Sequence, residues 1–204
     1  TLVFVTLQDG DGRIQLMAQR DELGERLDEL EDLDVGDTVG ATGEVITTRK
    51  GELSVRVSDF SLLAKGLRPL PEKWHGLSDI ETRSRRRYLD LIVTPRSRAT
   101  AIARSRIVSE LRRQFETRGY LEVETPVLLT QAGGALARPF ETHHNALDIG
   151  MFLRIATELP LKMLIVGGLE KVFEIGRIFR NEGIDGTHNP EFTMLESYEA
   201  YADY

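Results

Sequence analysis

The sequence predicts an α+β protein that opens with a small β-barrel module and continues into a domain of helices and antiparallel strands. Residues 1–66 alternate short runs rich in Val, Ile, Leu and Thr with glycine-containing turns, which is typical of β-strands. A long helical pattern follows at 96–119, and the remaining residues alternate strand-like runs with one more helical run. Strands gathered at one end and helices mixed with strands at the other favour this fold class.

The first module carries four predicted strands, at Leu2–Leu7, Arg13–Ala18, Thr38–Thr47 and Leu53–Leu63. Hairpin turns are predicted at Asp9–Gly12 and Arg49–Glu52. Leu23, Leu27 and Leu30 follow helical spacing, which predicts a short amphipathic helix over Asp21–Leu30. Strands with one inserted helix indicate a five-stranded Greek-key barrel, the OB-fold. We expect its first strand to lie before Thr1.

Three regions are therefore predicted: the partial barrel at 1–66, a linker at 67–95 that contains Pro69 and Pro71, and an α+β domain at 96–204. In the last region a helix is predicted over Arg96–Gly119, with Gly119 as its C-cap. A second helix is predicted over Glu158–Val166. Strands are predicted at Tyr120–Val123, Phe152–Ile155, Val172–Arg180 and Phe192–Tyr201.

The net charge of −7 conceals a basic middle segment: it is −7 over residues 1–66, +7 over 67–118 and −7 over 119–204. Its densest part is Arg83 with Arg85, Arg86 and Arg87. These arginines could pair within the chain, or they could contact a polyanion such as RNA or a nucleotide. Charge alone does not choose between the two.

Several classes of site and location are disfavoured. Cysteine is absent, and neither His143-His144 nor His75 has metal-ligand spacing, so we expect no metal site in this chain. The phosphate-binding loops of P-loop and Rossmann proteins are missing. Because no apolar run approaches 18 residues and no secretory leader is visible, we expect no membrane contact in this segment and a cytoplasmic location.

A polar hairpin near the end of the sequence is the best candidate site. Arg180 offers a planar fork to an oxyanion, and Phe192 offers a face on which a base could stack. Glu196 and Tyr198 are two apart on a predicted strand and so share a face, where a carboxylate beside a phenol could receive an ammonium group. Glu158 opens a predicted helix, and its charge could equally serve only to stabilise that helix.

These residues resemble the class II aminoacyl-tRNA synthetases, and lysyl-tRNA synthetases of subclass IIb in particular. Phe179–Gly183 followed by His188–Thr193 resembles motif 2, and Gly119–Pro126 resembles motif 1. The residues that make the resemblance lysine-specific are His188-Asn189 and Glu196-x-Tyr198. Further similar blocks cover nearly the whole chain: Phe4–Asp9, Arg68–Pro71, Gly133–Ala135, Arg138–Phe140, Thr142–Asn145 and Arg154–Leu159.

The resemblance implies activation of L-lysine with ATP to lysyl-adenylate and its transfer to tRNA(Lys). It implies that Arg180 is catalytic and bridges the α-phosphate and the lysine carboxylate. The implied ATP-binding residues are Arg180, Asn181, Glu182, His188, Asn189 and Phe192. The implied lysine-binding residues are Gly134 and Glu158 for the α-amino group, Arg180 for the carboxylate, and Glu196 and Tyr198 for the ε-ammonium. Phe4, Gln15 and Glu52 would read a uracil of the anticodon, and Pro126 would lie near a homodimer interface.

Motif 3 and the carboxylates that bind Mg²⁺ in this family would lie beyond Tyr204. We therefore expect that this chain alone does not complete lysyl-adenylate synthesis. Two other functions stay open: a non-catalytic RNA-binding or assembly module, and the synthetase-like part of a protein that adds lysine to membrane lipids.

Overall fold

The computed structural model describes residues 2–71 and 77–203, which form parts of two compact units, Thr1–Ala99 and Thr100–Tyr204. Residues 72–76 of the predicted linker, including His75, lie outside the described residues.

Unit 1 is built on one four-stranded sheet of β1 (Leu2–Gln8), β2 (Arg13–Gln19), β3 (Thr38–Thr47) and β4 (Leu53–Ala64). The strand order is β1-β2-β4-β3, with β2 and β4 parallel and the other two pairs antiparallel. All four strand predictions are confirmed to within one residue. The first predicted turn forms as well, because the Asp9 side chain accepts hydrogen bonds from the amides of Asp11 and Gly12.

The single helix predicted over Asp21–Leu30 is wrong in form. The structure has a short helix α1 (Arg20–Leu23) followed by a 3₁₀ helix (Gly24–Leu30). Gly24 has a φ of 58°, in the left-handed region that interrupts a regular α-helix. The predicted apolar face is nevertheless buried: the core of unit 1 consists of Leu16, Ala18, Leu23, Leu27, Leu30, Val57 and Phe60.

The predicted linker contains two short helices, α2 (Ile80–Arg85) and α3 (Arg87–Val93). The Asp90 carboxylate, fully buried, accepts hydrogen bonds from Arg83 and Arg87, each at 2.8 Å. Hydrogen bonds from Ser97 and these arginines hold the pKa of Asp90 well below its usual range. Arg85 pairs with Glu81. Three arginines of the basic cluster therefore pair within the chain.

The long helix α4 (Pro95–Thr117) ends two residues before the predicted end at Gly119. Gly119 follows it with a φ of 84° and donates its amide to the Glu116 carbonyl. The Phe115 ring stacks on Phe173 with ring centroids 4.9 Å apart. Several large apolar side chains of α4 are exposed, namely Ile102, Ile107 and Leu111. Within residues 2–71 and 77–203, no helix is both long and apolar enough to cross a membrane.

Two three-stranded sheets complete unit 2. The first has the order β10-β9-β5, with β5 (Leu121–Glu122) parallel to β9 (Lys171–Phe179) and β10 (Glu191–Glu199) antiparallel to it. The second has the order β6-β8-β7, formed by β6 (Leu128–Leu129), β7 (Glu141–His144) and β8 (Ile149–Leu153). Helix α5 (Glu158–Val166) has the predicted bounds.

The strand predicted at Phe152–Ile155 is displaced, because β8 ends at Leu153. The next residues leave the ladder: the Arg154 side chain is buried in a hydrogen-bond network, and the Ile155 carbonyl accepts a hydrogen bond from Arg180. Residues 154 and 155 therefore contact β9 and Arg180, which follows it.

Candidate functional site

The β9–β10 hairpin aligns the predicted site residues along one face. Directly paired residues share a face, and the register pairs Phe192 with Ile178, Glu196 with Glu174, and Tyr198 with Val172. Phe192, Glu196 and Tyr198 therefore point to the same side. Glu196 is four positions after Phe192 along the strand, which corresponds to about 13 Å. The face is long enough for an extended ligand with different groups at its two ends.

Arg180 lies at the first end of this face. Its backbone amide donates to the Pro190 carbonyl at 2.8 Å, which closes the hairpin. Its guanidinium carbon is 5.3 Å from the centroid of the Phe192 ring, and its Nε donates to the Ile155 carbonyl at 3.4 Å. A cation is thus placed beside an aromatic ring, an arrangement suited to a ligand that combines an anion with a planar base.

The loop between the two strands carries the other four predicted nucleotide contacts, Asn181, Glu182, His188 and Asn189, all exposed. The Asn181 amide donates to the Arg138 carbonyl at 2.7 Å, and the Glu182 carboxylate accepts from the Arg138 amide at 3.2 Å. The His188 ring lies 2.8 Å from Asp185. Hydrogen bonds from the Thr187 amide and from His188 lower the pKa of Asp185 to about 2. The loop is therefore held both by hydrogen bonds to Arg138 and by contacts within itself.

Glu196 lies at the second end, where Thr157 holds its carboxylate. The Thr157 amide donates to Oε2 of Glu196 at 2.8 Å, and the Thr157 hydroxyl donates to the same oxygen. Thr157 is the N-cap residue of α5, but its hydroxyl makes no capping bond there. Because both bonds go to Oε2, the orientation of the carboxylate is fixed while Oε1 can accept another donor.

The ammonium group of Lys162 lies near the Glu196 end of the face. Nζ of Lys162 is 2.7 Å from the Glu158 carboxylate and 5.6 Å from the centroid of the Tyr198 ring. The hydrogen bond to Glu158 raises the pKa of Lys162, with a smaller contribution from Glu196. Burial, followed by the nearby charges of Glu196 and Glu158, raises the pKa of the Tyr198 phenol. The end is acidic and suits a cation.

Gly134 brings a loop against the same place. Its φ of 86° is in the left-handed region, and an added Cβ would lie 3.1 Å from Cβ of Glu158 and 3.2 Å from Cβ of Ala156. Only glycine allows this close approach without strain. Gly134 and Glu158, far apart in sequence, are therefore neighbours.

A buried ion pair lies beside the site on the same face of the hairpin. Arg154 and Glu174 are 3% and 4% exposed, and Nη1 of Arg154 donates to Glu174. Arg154 also donates to the carbonyls of Arg177 and Thr125, and Glu174 accepts from the amide and hydroxyl of Thr125. Glu174 is paired directly with Glu196 across the hairpin. The segment 154–157 therefore supplies a partner to both carboxylates.

In unit 2 the predicted site residues form two clusters, one at each end of the hairpin face. Arg180 and Phe192 meet at one end, and Gly134, Glu158, Glu196 and Tyr198 surround the other. Pro126 is exposed in the loop between β5 and β6. Sequence reasoning missed Thr157, Lys162 and the Arg154–Glu174 pair. A threonine directly before a helix signals an N-cap, but nothing in the sequence indicates that its hydroxyl turns to Glu196.

The predicted RNA-reading residues lie in unit 1 on the outward face of the sheet. Val3, Val5 and Leu7 of β1 pack on the core, which turns Phe4 and Thr6 outward. Phe4 is paired with Met17, and Thr6 with Gln15, so Phe4 and Gln15 are diagonal neighbours. The Phe4 ring is about half exposed. Glu52 is exposed just before β4.

Among the described residues, no three His, Cys, Asp or Glu side chains are grouped so as to hold a metal ion. Mg²⁺, which the family resemblance implies, therefore has no fitting set of ligands in this part of the chain.

Comparison with known proteins identifies the class to which this fold and site correspond. Residues 79–204 match the family described as tRNA synthetases class II (D, K and N), and residues 1–63 match the OB-fold nucleic acid binding domain. The chain belongs to the class II tRNA synthetases of this group. The predicted fold class is confirmed, including the OB-fold of the first module.

The similar curated proteins narrow this to one kind of synthetase. The chain is 61% identical to a lysine–tRNA ligase of Lactococcus lactis subsp. lactis (strain IL1403), 58% to one of Thermoanaerobacter sp. (strain X514) and 59% to one of Bacillus subtilis (strain 168). Each match covers 98% of this chain but only 40% or 41% of the relative. The chain thus spans about two fifths of the length of these relatives. The predicted resemblance to lysyl-tRNA synthetases is confirmed.

Proposed function

We propose that this chain supplies the lysine-selecting and α-phosphate-binding half of a lysine–tRNA ligase, together with an anticodon-reading domain. The ligase would activate L-lysine with ATP and transfer it to tRNA(Lys), as the names of the relatives suggest. The observation that carries the proposal is the single face of the β9–β10 hairpin. It has a cation beside an aromatic ring at one end and an acidic, ammonium-holding end about 13 Å away.

Activation requires the lysine carboxylate to attack the α-phosphate of ATP while pyrophosphate leaves. The task of the protein is to position two anions and to stabilise the charge that develops between them. Arg180 would take this role, and the position of its guanidinium beside the Phe192 ring, on which adenine would stack, supports the proposal. Asn181, Glu182, His188 and Asn189 of the exposed loop would contact the rest of the nucleotide.

Selection of lysine would take place at the other end. Glu196 would receive the ε-ammonium on the oxygen that Thr157 leaves available, and Tyr198 would cover it. Glu158 and Gly134 would hold the α-amino group. A carboxylate positioned in this way rejects an uncharged analogue strongly, because such an analogue would leave the charge without a partner.

The anticodon-reading role rests on unit 1, where the half-exposed Phe4 ring neighbours Gln15 on the outward face of the sheet. Single-stranded bases are recognised by stacking on such rings together with hydrogen bonds to their edges. This face would read a uracil, with Glu52 as a further acceptor. The ligase would act in the cytoplasm, where its tRNA substrate is used.

A homodimer is the further partner that we propose. The apolar side chains of Ile107 and Leu111 are 60% and 42% exposed on α4, next to the segment that resembles motif 1. Burying them against a second copy would remove apolar surface from water. Pro126 would lie near that interface.

The lysine site is tested by replacing Glu196 with Gln and measuring lysine binding by calorimetry. Charged hydrogen bonds contribute about 1.5–3 kcal/mol, so we expect lysine affinity to fall at least about tenfold while the affinity for norleucine, which lacks the ε-amino group, is unchanged. Glu199→Gln is the matched control, because Glu199 is in the same strand but binds Lys171 and Tyr120. Lysine-dependent pyrophosphate exchange by the natural polypeptide that contains these residues should follow the same order. Unchanged lysine affinity in Glu196→Gln would refute the proposed lysine site.

A further inference from the structure

A serine without any exposed surface lies on the proposed RNA-reading face of the sheet, where a neighbouring side chain covers it. Ser54 is in β4, directly beside Gln15 of β2 in the parallel register. Its neighbours in sequence along β4, Val55 and Val57, pack on the core, so Ser54 points toward the outward face. Gln15 is half-buried there. A polar side chain that is fully covered on an outward face has a partner that covers it, and here that partner is Gln15.

The contact between the two side chains has a direction. The Ser54 hydroxyl donates to Oε1 of Gln15 at 2.9 Å, and the Glu52 carbonyl lies 3.4 Å from the same hydroxyl. A glutamine amide has an oxygen that accepts and an NH₂ group that donates. Because the Ser54 hydroxyl already donates to Oε1 of Gln15, the NH₂ group of Gln15 remains available to donate to a ligand.

We infer that Ser54 fixes the orientation of the Gln15 amide and thereby makes this face select a base that presents a carbonyl oxygen. The inference rests on the proposed anticodon-reading function and names the residue that sets its specificity. Ser54 is a positioning residue: it acts through Gln15 and does not touch the base.

The hydrogen-bonding groups of the two pyrimidines explain why this face would prefer uracil to cytosine. Uracil presents a carbonyl oxygen beside an N3–H donor, whereas cytosine presents an amino group beside an N3 acceptor. A base stacked on Phe4 would place its edge toward the donating NH₂ of Gln15 and the accepting carboxylate of Glu52. Uracil matches both groups. Cytosine would oppose donor to donor and acceptor to acceptor, and unpaired polar groups of this kind are costly.

The test compares the binding of anticodon-loop RNA hairpins that carry either U or C at each anticodon position. Ser54→Ala removes only the hydroxyl. Ser58→Ala is the matched control, since Ser58 is in the same strand but its hydroxyl is exposed and donates to the Thr42 carbonyl. By fluorescence anisotropy we expect Ser54→Ala to lower the ratio of U-affinity to C-affinity about fivefold to tenfold, the effect of one neutral hydrogen bond, and Ser58→Ala to leave the ratio unchanged.

A merely structural role of Ser54 would weaken binding to both hairpins and leave their ratio intact, which would overturn the inference. In a Gln15→Ala background, Ser54→Ala should have no further effect on the ratio of U-affinity to C-affinity, because the Gln15 amide through which Ser54 acts is absent. If Gln15→Ala itself fails to change RNA binding, the proposed reading face is wrong. If Gln15→Ala lowers the ratio and Ser54→Ala does not, only the present inference fails. Circular dichroism checks folding, and Ser54→Cys, whose thiol is a weaker donor, replaces Ser54→Ala if that variant does not fold.

Discussion

Gly176 is the position at which one added methyl group should destabilise unit 2 most clearly. A Cβ there would lie 2.2 Å from Nη2 of Arg154 and 2.9 Å from the Glu174 carboxylate. Arg154 is only 3% exposed and is anchored by hydrogen bonds to the carbonyls of Arg177 and Thr125 and to Glu174. The guanidinium therefore cannot move aside without losing partners in a buried environment.

The expected magnitude follows from two costs. Overpacking a dense interior costs about 1–3 kcal/mol, and separating a buried ion pair costs about 3–5 kcal/mol when one charge is left without compensation. Since Gly176→Ala strains the pair without removing either charge, we expect the free energy of unfolding of unit 2 to fall by about 3 kcal/mol.

Gly150 provides a matched control in the same unit. It lies in β8, and an added Cβ would meet nothing within 4 Å, so Gly150→Ala should change stability by less than about 1 kcal/mol. Urea unfolding combined with hydrogen exchange of the β9 amides measures both variants in unit 2 itself. If the two variants differ by less than 1 kcal/mol, the Arg154–Glu174 network is not the rigid element described above.

Two further predictions concern other hydrogen-bonded carboxylates. Thr157→Val removes the hydroxyl that holds Glu196, so lysine affinity measured by calorimetry should fall several-fold. Thr157→Ser retains a hydroxyl donor and should bind lysine as the wild type does. Equal lysine affinity in the wild type and both variants would contradict the proposed role of Thr157 in positioning Glu196. In unit 1, hydrogen bonds from Lys65 and from the amides of Asp34 and Gly66 lower the pKa of Asp37 to about 2. Because this pKa lies below the ordinary value of 3.8, the stabilisation is complete above about pH 4 and is lost as the pH falls toward 2. Asp37→Asn should therefore flatten the acid limb of stability followed by circular dichroism, and an unchanged limb would show that Asp37 does not contribute to it.

Patterns in consecutive residues predict most of the helices and strands. They fail where contacts between residues far apart in the sequence determine whether a strand forms and where it ends. Helix α5 has the predicted bounds because its start and apolar run are encoded in consecutive residues. Strands β6 and β7 were not predicted, because they are only two and four residues long and exist through pairing with β8. The predicted strand at Phe152–Ile155 was displaced because Arg154 turns inward to a partner twenty residues away.

In the candidate site, too, sequence periodicity predicts some features, whereas contacts between distant residues determine others. The common face of Glu196 and Tyr198 follows from strand periodicity and could be predicted from sequence. The bond from Thr157 to Glu196 joins residues 39 apart, and it depends on the path that the chain takes after β8. The resemblance to synthetases implies a set of site residues, but it does not indicate which neighbours would orient them.

The Lys162 ammonium has a consequence for how a ligand would enter the site. Its contact with Glu158 joins two side chains one helical turn apart, and the Lys162 side chain is 54% exposed, so the pair can open at little cost. An arriving amino group would then take the place of a cation rather than of water alone. If the proposed lysine site is right, lysine binding would exchange one ammonium for another, and Glu158 would have a countercharge both before and after the ligand binds.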